Sequence, residues 1–251
     1  MSHGHPALLY GLNVLPVQCL LLQQALADWP RRSAPMLMVN CRAGEFLPFL
    51  WQAGFDLVAT ETNGKLRERA ARRPVPGLGI RAADDTDLPF ENETFDWTIV
   101  QIMSGNREHL EKTSREALRV SRRGIMFLFW NNASLPLLYW RMLHHAQWPF
   151  PSAAWHRVWL TAKKLACGKT KSFAILSCPP GFCPTGKAFA WLNRQKSFLP
   201  FGAWAIVRID FYPERPLTPM PLRVDSSFAE VEACTEWAHK CINNQNRDMN
   251  K

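Results

Sequence analysis

The chain has 251 residues, enough to bury one substantial core, and α/β domains of this length commonly stay a single unit. Hydrophobic residues at 47% and charged residues at 20% sit in the globular range and exclude wholesale disorder. The net charge of +9 favours anionic partners without naming one.

The first 27 residues carry no Lys or Arg, and the apolar stretch from Ala7 to Ala27 is broken by Asn13, Pro16, Gln18 and Gln23-Gln24. Neither a signal peptide nor a membrane span fits that pattern. Seven scattered cysteines fit a reducing compartment, so a cytoplasmic protein is expected.

After Pro16, Val17, Leu20, Leu21, Ala25 and Leu26 recur at helical spacing and predict a helix ending near Trp29-Pro30. Met36 to Val39 reads as a buried strand, followed by a tight turn and an apolar helix, Phe46 to Ala53, closed by Gly54. Phe55 to Thr60 is a second strand, which completes a βαβ unit. A basic helix Lys65 to Arg73 stops at Pro74, and Gly79 to Ala83 is a third strand leading into Asp84, Asp85 and Asp87.

Phe95 to Ile102 is a fourth strand, Glu108 to Val120 a helix, and Ile125 to Trp130 a fifth strand. Such alternation implies a parallel sheet covered on both faces. An aromatic helical stretch then runs from Leu135 to Gln147, with a second helix from about Ser152 to Leu165, expected as a cap. Phe173 to Ser177 and Ala203 to Phe211 read as final strands around a helix, Lys187 to Lys196. A Pro-rich linker from Pro213 to Pro221 leads to a helix Phe228 to Cys241 and a polar tail. The expected organisation is one domain over 1-212 (core 36-130, cap about 133-167, final strands 173-211) and a 213-251 linker and tail.

The segment Met36-Leu-Met-Val-Asn-Cys-Arg-Ala-Gly-Glu-Phe46 joins the first strand to the first helix, where open α/β sheets place their ligand crevice. Glu61 ends the second strand about 20 residues on, the spacing at which an acid accepts hydrogen bonds from ribose hydroxyls, and equally a place for a surface Glu before the Asn63-Gly64 turn. Ala83-Asp84-Asp85-Thr86-Asp87-Leu88-Pro89-Phe90 precedes Phe95-Asp96, and Arg115 to Gly124 leads from helix to fifth strand. Together these resemble the class I S-adenosylmethionine-dependent methyltransferases, specifically the methyltransferase type 11 family, over roughly residues 36 to 130.

The resemblance implies a Rossmann-like methyltransferase fold: a mostly parallel seven-stranded sheet with helices on both faces and an aromatic helical cap. The family's first motif ends in Gly-x-Gly-x-Gly. Here Met38 stands at its acidic position, Asn40 and Arg42 at its first two glycines, and only Gly44 is kept. Those glycines let a sharp turn approach the cofactor with no Cβ in the way. Asn tolerates left-handed geometry, whereas the Arg42 side chain either fills the crevice or swings out to meet the cofactor carboxylate.

The implied cofactor is S-adenosylmethionine, with Asn40, Gly44, Glu61, Asp84, Asp85 and Gln101 as binding residues. Glu61 is expected on the ribose and Asp84 on the adenine amino group. Methyl transfer needs in-line placement more than a named base, so no catalytic residue is assigned. The expected partner is a small-molecule or macromolecular methyl acceptor, and a catalytically inactive scaffold is the alternative.

Nucleic acid is a minor expectation. The basic clusters Arg115, Arg119, Arg122, Arg123 and Lys163, Lys164, Lys169, Lys171 read as solvated faces, without an aromatic-and-basic recognition motif. Cys178-Pro-Pro-Gly-Phe-Cys183 has zinc-compatible spacing but lacks a second ligand pair, and no metal is expected. His144-His145 and His156 read as packing or surface residues. Trp130, Trp140, Trp148, Trp155 and Trp159 read as core, with an apolar acceptor pocket as the alternative.

Overall fold

The structure is a computed structural model that describes residues 14–31, 33–144, 150–165, 168–175 and 202–211. A first helix, α1 (Val14–Leu26), precedes the alternating series β1 (Ala34–Val39), α2 (Leu47–Gln52), β2 (Phe55–Thr60), α3 (Gly64–Ala71), β3 (Gly79–Arg81), β4 (Phe95–Gln101), α4 (Arg107–Val120) and β5 (Ser121–Asn131). Then follow α5 (Leu135–His144), β6 (Ser152–Ala153), α6 (Trp155–Leu165), β7 (Lys169–Ile175) and β8 (Trp204–Asp210). The expected helix 187–196, the Cys178 to Cys183 turn, Trp148, His145 and everything from 212 onward lie outside the described residues.

The sheet order is β3-β2-β1-β4-β5-β8-β7. β1 to β5 run parallel, and β8 inserts antiparallel between β5 and β7. The seven-stranded path matches the expected fold class. An eighth, two-residue strand, β6, pairs with the end of β5 through Trp130 with Ser152 and Asn131 with Ala153.

Residue alternation sorts the core into two layers. Met36, Met38, Ile99, Met126, Leu128 and Ile206 face α1 and α2, whereas Leu37, Val39, Val100, Phe127 and Val207 face α4 and α6. The aromatic stretch feeds both layers. Leu137 of α5 is buried on the α1 side, and Val158 and Ala162 of α6 on the α4 side.

Of the element boundaries that differ from expectation, three have a visible cause in the sheet. β5 begins at Ser121, because the Ser121 hydroxyl donates to Thr98 Oγ1 of β4 at 2.6 Å and Phe95 pairs with Ser121. Ser152 and Ala153 extend as strand rather than starting a helix; α6 starts at Trp155, whose backbone N–H donates to Asn131 Oδ1 at 3.1 Å. β7 starts four residues earlier than expected, at Lys169, along the sheet edge. Lysines on an exposed edge oppose pairing with another chain.

α1 is fastened to the far strands by polar groups. The Trp29 indole N–H donates to Asp210 Oδ1 at 2.8 Å and its ring stacks on Trp97 at 4.1 Å. Arg208 donates to Ala25 O at 2.6 Å and to Asp210 Oδ1 at 2.8 Å, so its buried charge is fully paired.

Candidate functional site

The loop after β1 keeps the backbone path that glycines would give. Asn40 (φ 57°), Arg42 (φ 53°) and Gly44 (φ 71°) are all left-handed, at the three positions where the resemblance expects glycine. A left-handed residue with a Cβ costs roughly 1–2 kcal/mol, less for Asn. The turn therefore holds Arg42 against its local preference.

Glu61 is what holds it. This buried carboxylate accepts from Arg42 N at 2.8 Å on Oε2 and from Asn63 N at 3.0 Å on Oε1. Arg67 donates to Glu61 O at 3.1 Å, and Asn63 caps α3 by accepting from Leu66 N at 3.2 Å. The end of β2 and the first turn of α3 thus form one fixed platform under the loop. Each Glu61 oxygen retains a second lone pair for a further donor. The Arg42 guanidinium has no hydrogen bond or ion pair among the described residues.

Gly44 serves packing. A Cβ there would lie 2.9 Å from Leu47 Cδ1 and 3.1 Å from Ala70 Cα, so its bare face lets α3 close on the loop. Arg73 reinforces that closure by donating to Ala43 O at 2.8 Å. Cys41 is fully buried, and burial, with help from Glu61 and Glu45, pushes its thiol up to about 12. It is an inert core thiol.

The remaining candidates form a second group across the crevice. Asn40 Nδ2 donates to Asp85 Oδ2 at 2.7 Å and to Gln101 O at 3.3 Å. Asp85 is buried, and His109 of α4 meets the same oxygen through Nε2 at 3.2 Å. Gln101 Oε1 is buried without a hydrogen-bond partner among the described residues, an acceptor open to a ligand donor.

Asp84 borders this second group, since Asp85 and His109 both act on its carboxyl. It is exposed, and its Oδ1 accepts from Thr86 N at 2.9 Å and Thr86 Oγ1 at 2.8 Å, which holds its carboxyl below the usual range.

Sequence patterns missed the residues that hold the acidic turn. Glu116 accepts from Leu88 N at 3.0 Å, and Arg119 donates to Phe90 O at 2.7 Å and Leu88 O at 2.9 Å while pairing with Glu116. Arg119, expected on a solvated face, is a structural clamp instead. His109 had no local signal either, since its partner Asp85 lies 24 residues away.

An open cavity of about 510 Å³ lies at the opposite end of the strands, lined by Pro30, Arg31, Ser33, Ala34, Pro35, Asp96 and Arg123. Its place at the start of β1 and β4 separates it from the loop. Among the described residues no cluster of His, Cys, Asp and Glu could hold a metal, and no helix is long and apolar enough to cross a membrane.

Residues 37–129 match the methyltransferase domain model of the type 11 family. No protein of curated function matches the chain in sequence.

Solved structures share the fold at low identity. An S-adenosylmethionine-dependent methyltransferase from Thermotoga maritima, described as a possible histamine N-methyltransferase, is 14% identical with a TM-score of 0.56, over 79% of this chain and 93% of that one. Magnesium protoporphyrin IX methyltransferase from Synechocystis, with bound S-adenosylhomocysteine, is 13% identical with a TM-score of 0.56, over 79% and 84%. An S-adenosylmethionine-dependent methyltransferase from Methanosarcina mazei is 11% identical with a TM-score of 0.53, over 74% and 95%. Residues 37–129 thus match a methyltransferase domain, and the chain shares the fold of these S-adenosylmethionine-dependent methyltransferases.

Proposed function

We propose that this chain binds S-adenosylmethionine in the crevice above β1, β2 and β4 and transfers its methyl group to an acceptor. The observation that carries this reading is the left-handed backbone at Asn40, Arg42 and Gly44, clamped from below by Glu61. A turn with no ligand to receive has no evident reason to hold an arginine in that strained region.

The residues present fit the cofactor with one obstruction. Glu61 offers two free lone pairs to ribose hydroxyls, and exposed Asp84 offers a carboxylate to the adenine amino group. Gln101 Oε1 offers an acceptor, and the Arg42 guanidinium, without a partner among the described residues, suits the carboxylate of the methionine end. When bound, S-adenosylmethionine supplies an electrophilic methyl group on a sulfonium. The protein's contribution is then to hold donor and acceptor in line, which alone supplies a large share of the rate. The acceptor is a small molecule or a macromolecule, and nucleic acid, favoured as acceptor only by the chain's net charge of +9, is the weaker version of the latter.

The obstruction is the Asn40 side chain, whose bond to Asp85 spans the crevice. That bond favours a second reading, a non-catalytic protein on the same fold. Isothermal titration of the wild type, Asn40→Gly and Glu61→Ala with S-adenosylhomocysteine separates the two. Under the first reading the wild type binds and folded Glu61→Ala does not. Binding confined to Asn40→Gly supports the second, and silence from both wild type and Asn40→Gly sinks the cofactor site.

A further inference from the structure

Two helices of this protein carry basic faces, and they treat their charges differently. On α4, Lys112 pairs with Glu108 at 2.8 Å, Arg115 with Glu111 at 2.7 Å and Arg119 with Glu116 at 2.8 Å. On α3, Lys65, Arg69 and the C-cap Arg72 are all exposed, and none of their side chains has an ion pair or hydrogen bond among the described residues. Spacings of four and three residues set the three in one stripe. Lys65 and Arg69 are then like charges at i, i+4, an arrangement that weakens a helix. Glu68, the one acid on α3, is exposed and forms no ion pair among the described residues either.

Further cations flank the stripe. Arg67 donates to Glu61 O at 3.1 Å and Thr62 O at 3.4 Å, and Arg73 donates to Ala43 O at 2.8 Å. Carbonyls fix these guanidinium groups without cancelling their charge. Exposed Arg81 belongs to the edge strand β3, against which α3 packs, and lies over the Phe90 ring at 5.1 Å.

Charge and shape select the occupant. The large apolar side chains that are exposed among the described residues, Trp51, Leu135, Leu138, Met142 and Leu160, all lie outside α3 and β3, so a bilayer would find nothing here to take in. A second copy of the chain would bring the same stripe and another net charge of +9. From Lys65 to Arg72 the helix rises about 10 Å, which matches about three phosphate steps along one strand of a duplex. Neither α3 nor β3 carries an aromatic residue on which unpaired bases could stack, and that favours a duplex over a single strand.

We propose that α3 docks the phosphate backbone of a nucleic-acid duplex, with Lys65, Arg69 and Arg72 on neighbouring phosphates and Arg81 beside them. Contacts of this kind position the duplex and read no base sequence. The stripe starts two residues after Asn63, whose N–H is held by Glu61, so it lies beside the candidate crevice. Docking is independent of whether that crevice takes S-adenosylmethionine.

The test is fluorescence anisotropy of the full chain with a labelled RNA duplex and a labelled DNA duplex of about 20 base pairs, titrated between about 50 and 200 mM KCl. The wild type should bind, with log affinity falling linearly against log salt. The triple variant Lys65→Gln, Arg69→Gln, Arg72→Gln should lower that slope by about three and the affinity at low salt about tenfold or more, since each lost phosphate contact releases one counterion fewer.

The control is Lys112→Gln, Arg115→Gln, Arg122→Gln, which removes the same net charge from exposed cations that already face acids. Its slope should stay at the wild-type value. Thermal melts confirm folding of each variant, and Arg69→Gln alone, with a slope lower by about one, stands in for a triple variant that does not fold. The proposal is overturned by absence of wild-type binding to both duplexes, by an unchanged slope in the α3 variants, or by an equal fall in the control. It is also overturned if phosphatidylglycerol vesicles displace the duplex at equal phosphate concentration. The assay contains no S-adenosylhomocysteine, so a wild type that binds duplex but not that ligand upholds this surface and sinks only the crevice reading.

Discussion

Two substitutions in one turn, at nearly the same φ, should move stability in opposite directions. Asn40 and Arg42 stand at φ 57° and 53°. In Arg42→Gly the Glu61 bond survives, because its donor is the backbone N–H, and the guanidinium loses no partner among the described residues. Relief of about 1–2 kcal/mol of left-handed strain, less about 0.5–1 kcal/mol for glycine's greater freedom in the unfolded chain, leaves a net gain near 0.5–1 kcal/mol. For a chain of this size that is a rise in Tm of about 1–4 °C.

Asn40→Gly gains less from φ, since Asn tolerates the region, and it loses the bonds to Asp85 and to Gln101 O. Removing the donor from a buried carboxylate costs about 1.5–3 kcal/mol, which outweighs the relief and lowers Tm by roughly 2–8 °C. Differential scanning calorimetry on both variants reads the signs directly. A fall for Arg42→Gly, or a rise for Asn40→Gly, refutes the division of the turn into a strained backbone position and a side-chain anchor.

Gly44→Ala should cost at least about 2 kcal/mol in urea unfolding, since its Cβ would meet Leu47 and Ala70 in a left-handed residue. Native Cys41 should resist alkylation at pH 8 and react only on unfolding, because its thiol is pushed to about 12. Glu116 is held below the usual carboxylate range, first by its hydrogen bond with Arg119. A depressed folded pKa contributes stability that is fully present above the unfolded value and lost as pH falls through the folded one. Glu116→Gln should therefore be less stable than wild type at neutral pH, and the gap should narrow as the pH is lowered below about 4.3. A gap that widens on acidification would show that the clamp on the acidic turn is not electrostatic.

The strand and helix alternation up to β5 was legible because buried parallel strands read as short apolar runs, and Gly54 and Pro74 punctuate the helices between them. What local pattern could not show was long-range. β5 begins among the polar residues Ser121 to Arg123 because of its pairing with β4. α6 starts at Trp155 because Asn131, 24 residues earlier, accepts its N–H. β6 exists only as a partner for the end of β5.

The site divides in the same way. Asn40, Arg42 and Gly44 could be located from the resemblance to the family's first motif, but only the backbone shows that all three keep the left-handed path. Glu61 was expected on a ligand and is found gripping the loop's own amides. Asp85, rather than its exposed neighbour Asp84, makes the bond across the crevice, and it recruits His109 from a helix no motif points to.

The central claim is that this turn, with two of its three glycines replaced, still receives S-adenosylmethionine. A crystal structure grown with S-adenosylhomocysteine tests it most directly. The expected result is the nucleoside in the crevice with a Glu61 oxygen at hydrogen-bond distance, about 2.5–3.0 Å, from a ribose hydroxyl and the Asn40 to Asp85 bond parted. An empty crevice at saturating ligand, with that bond intact, would contradict it.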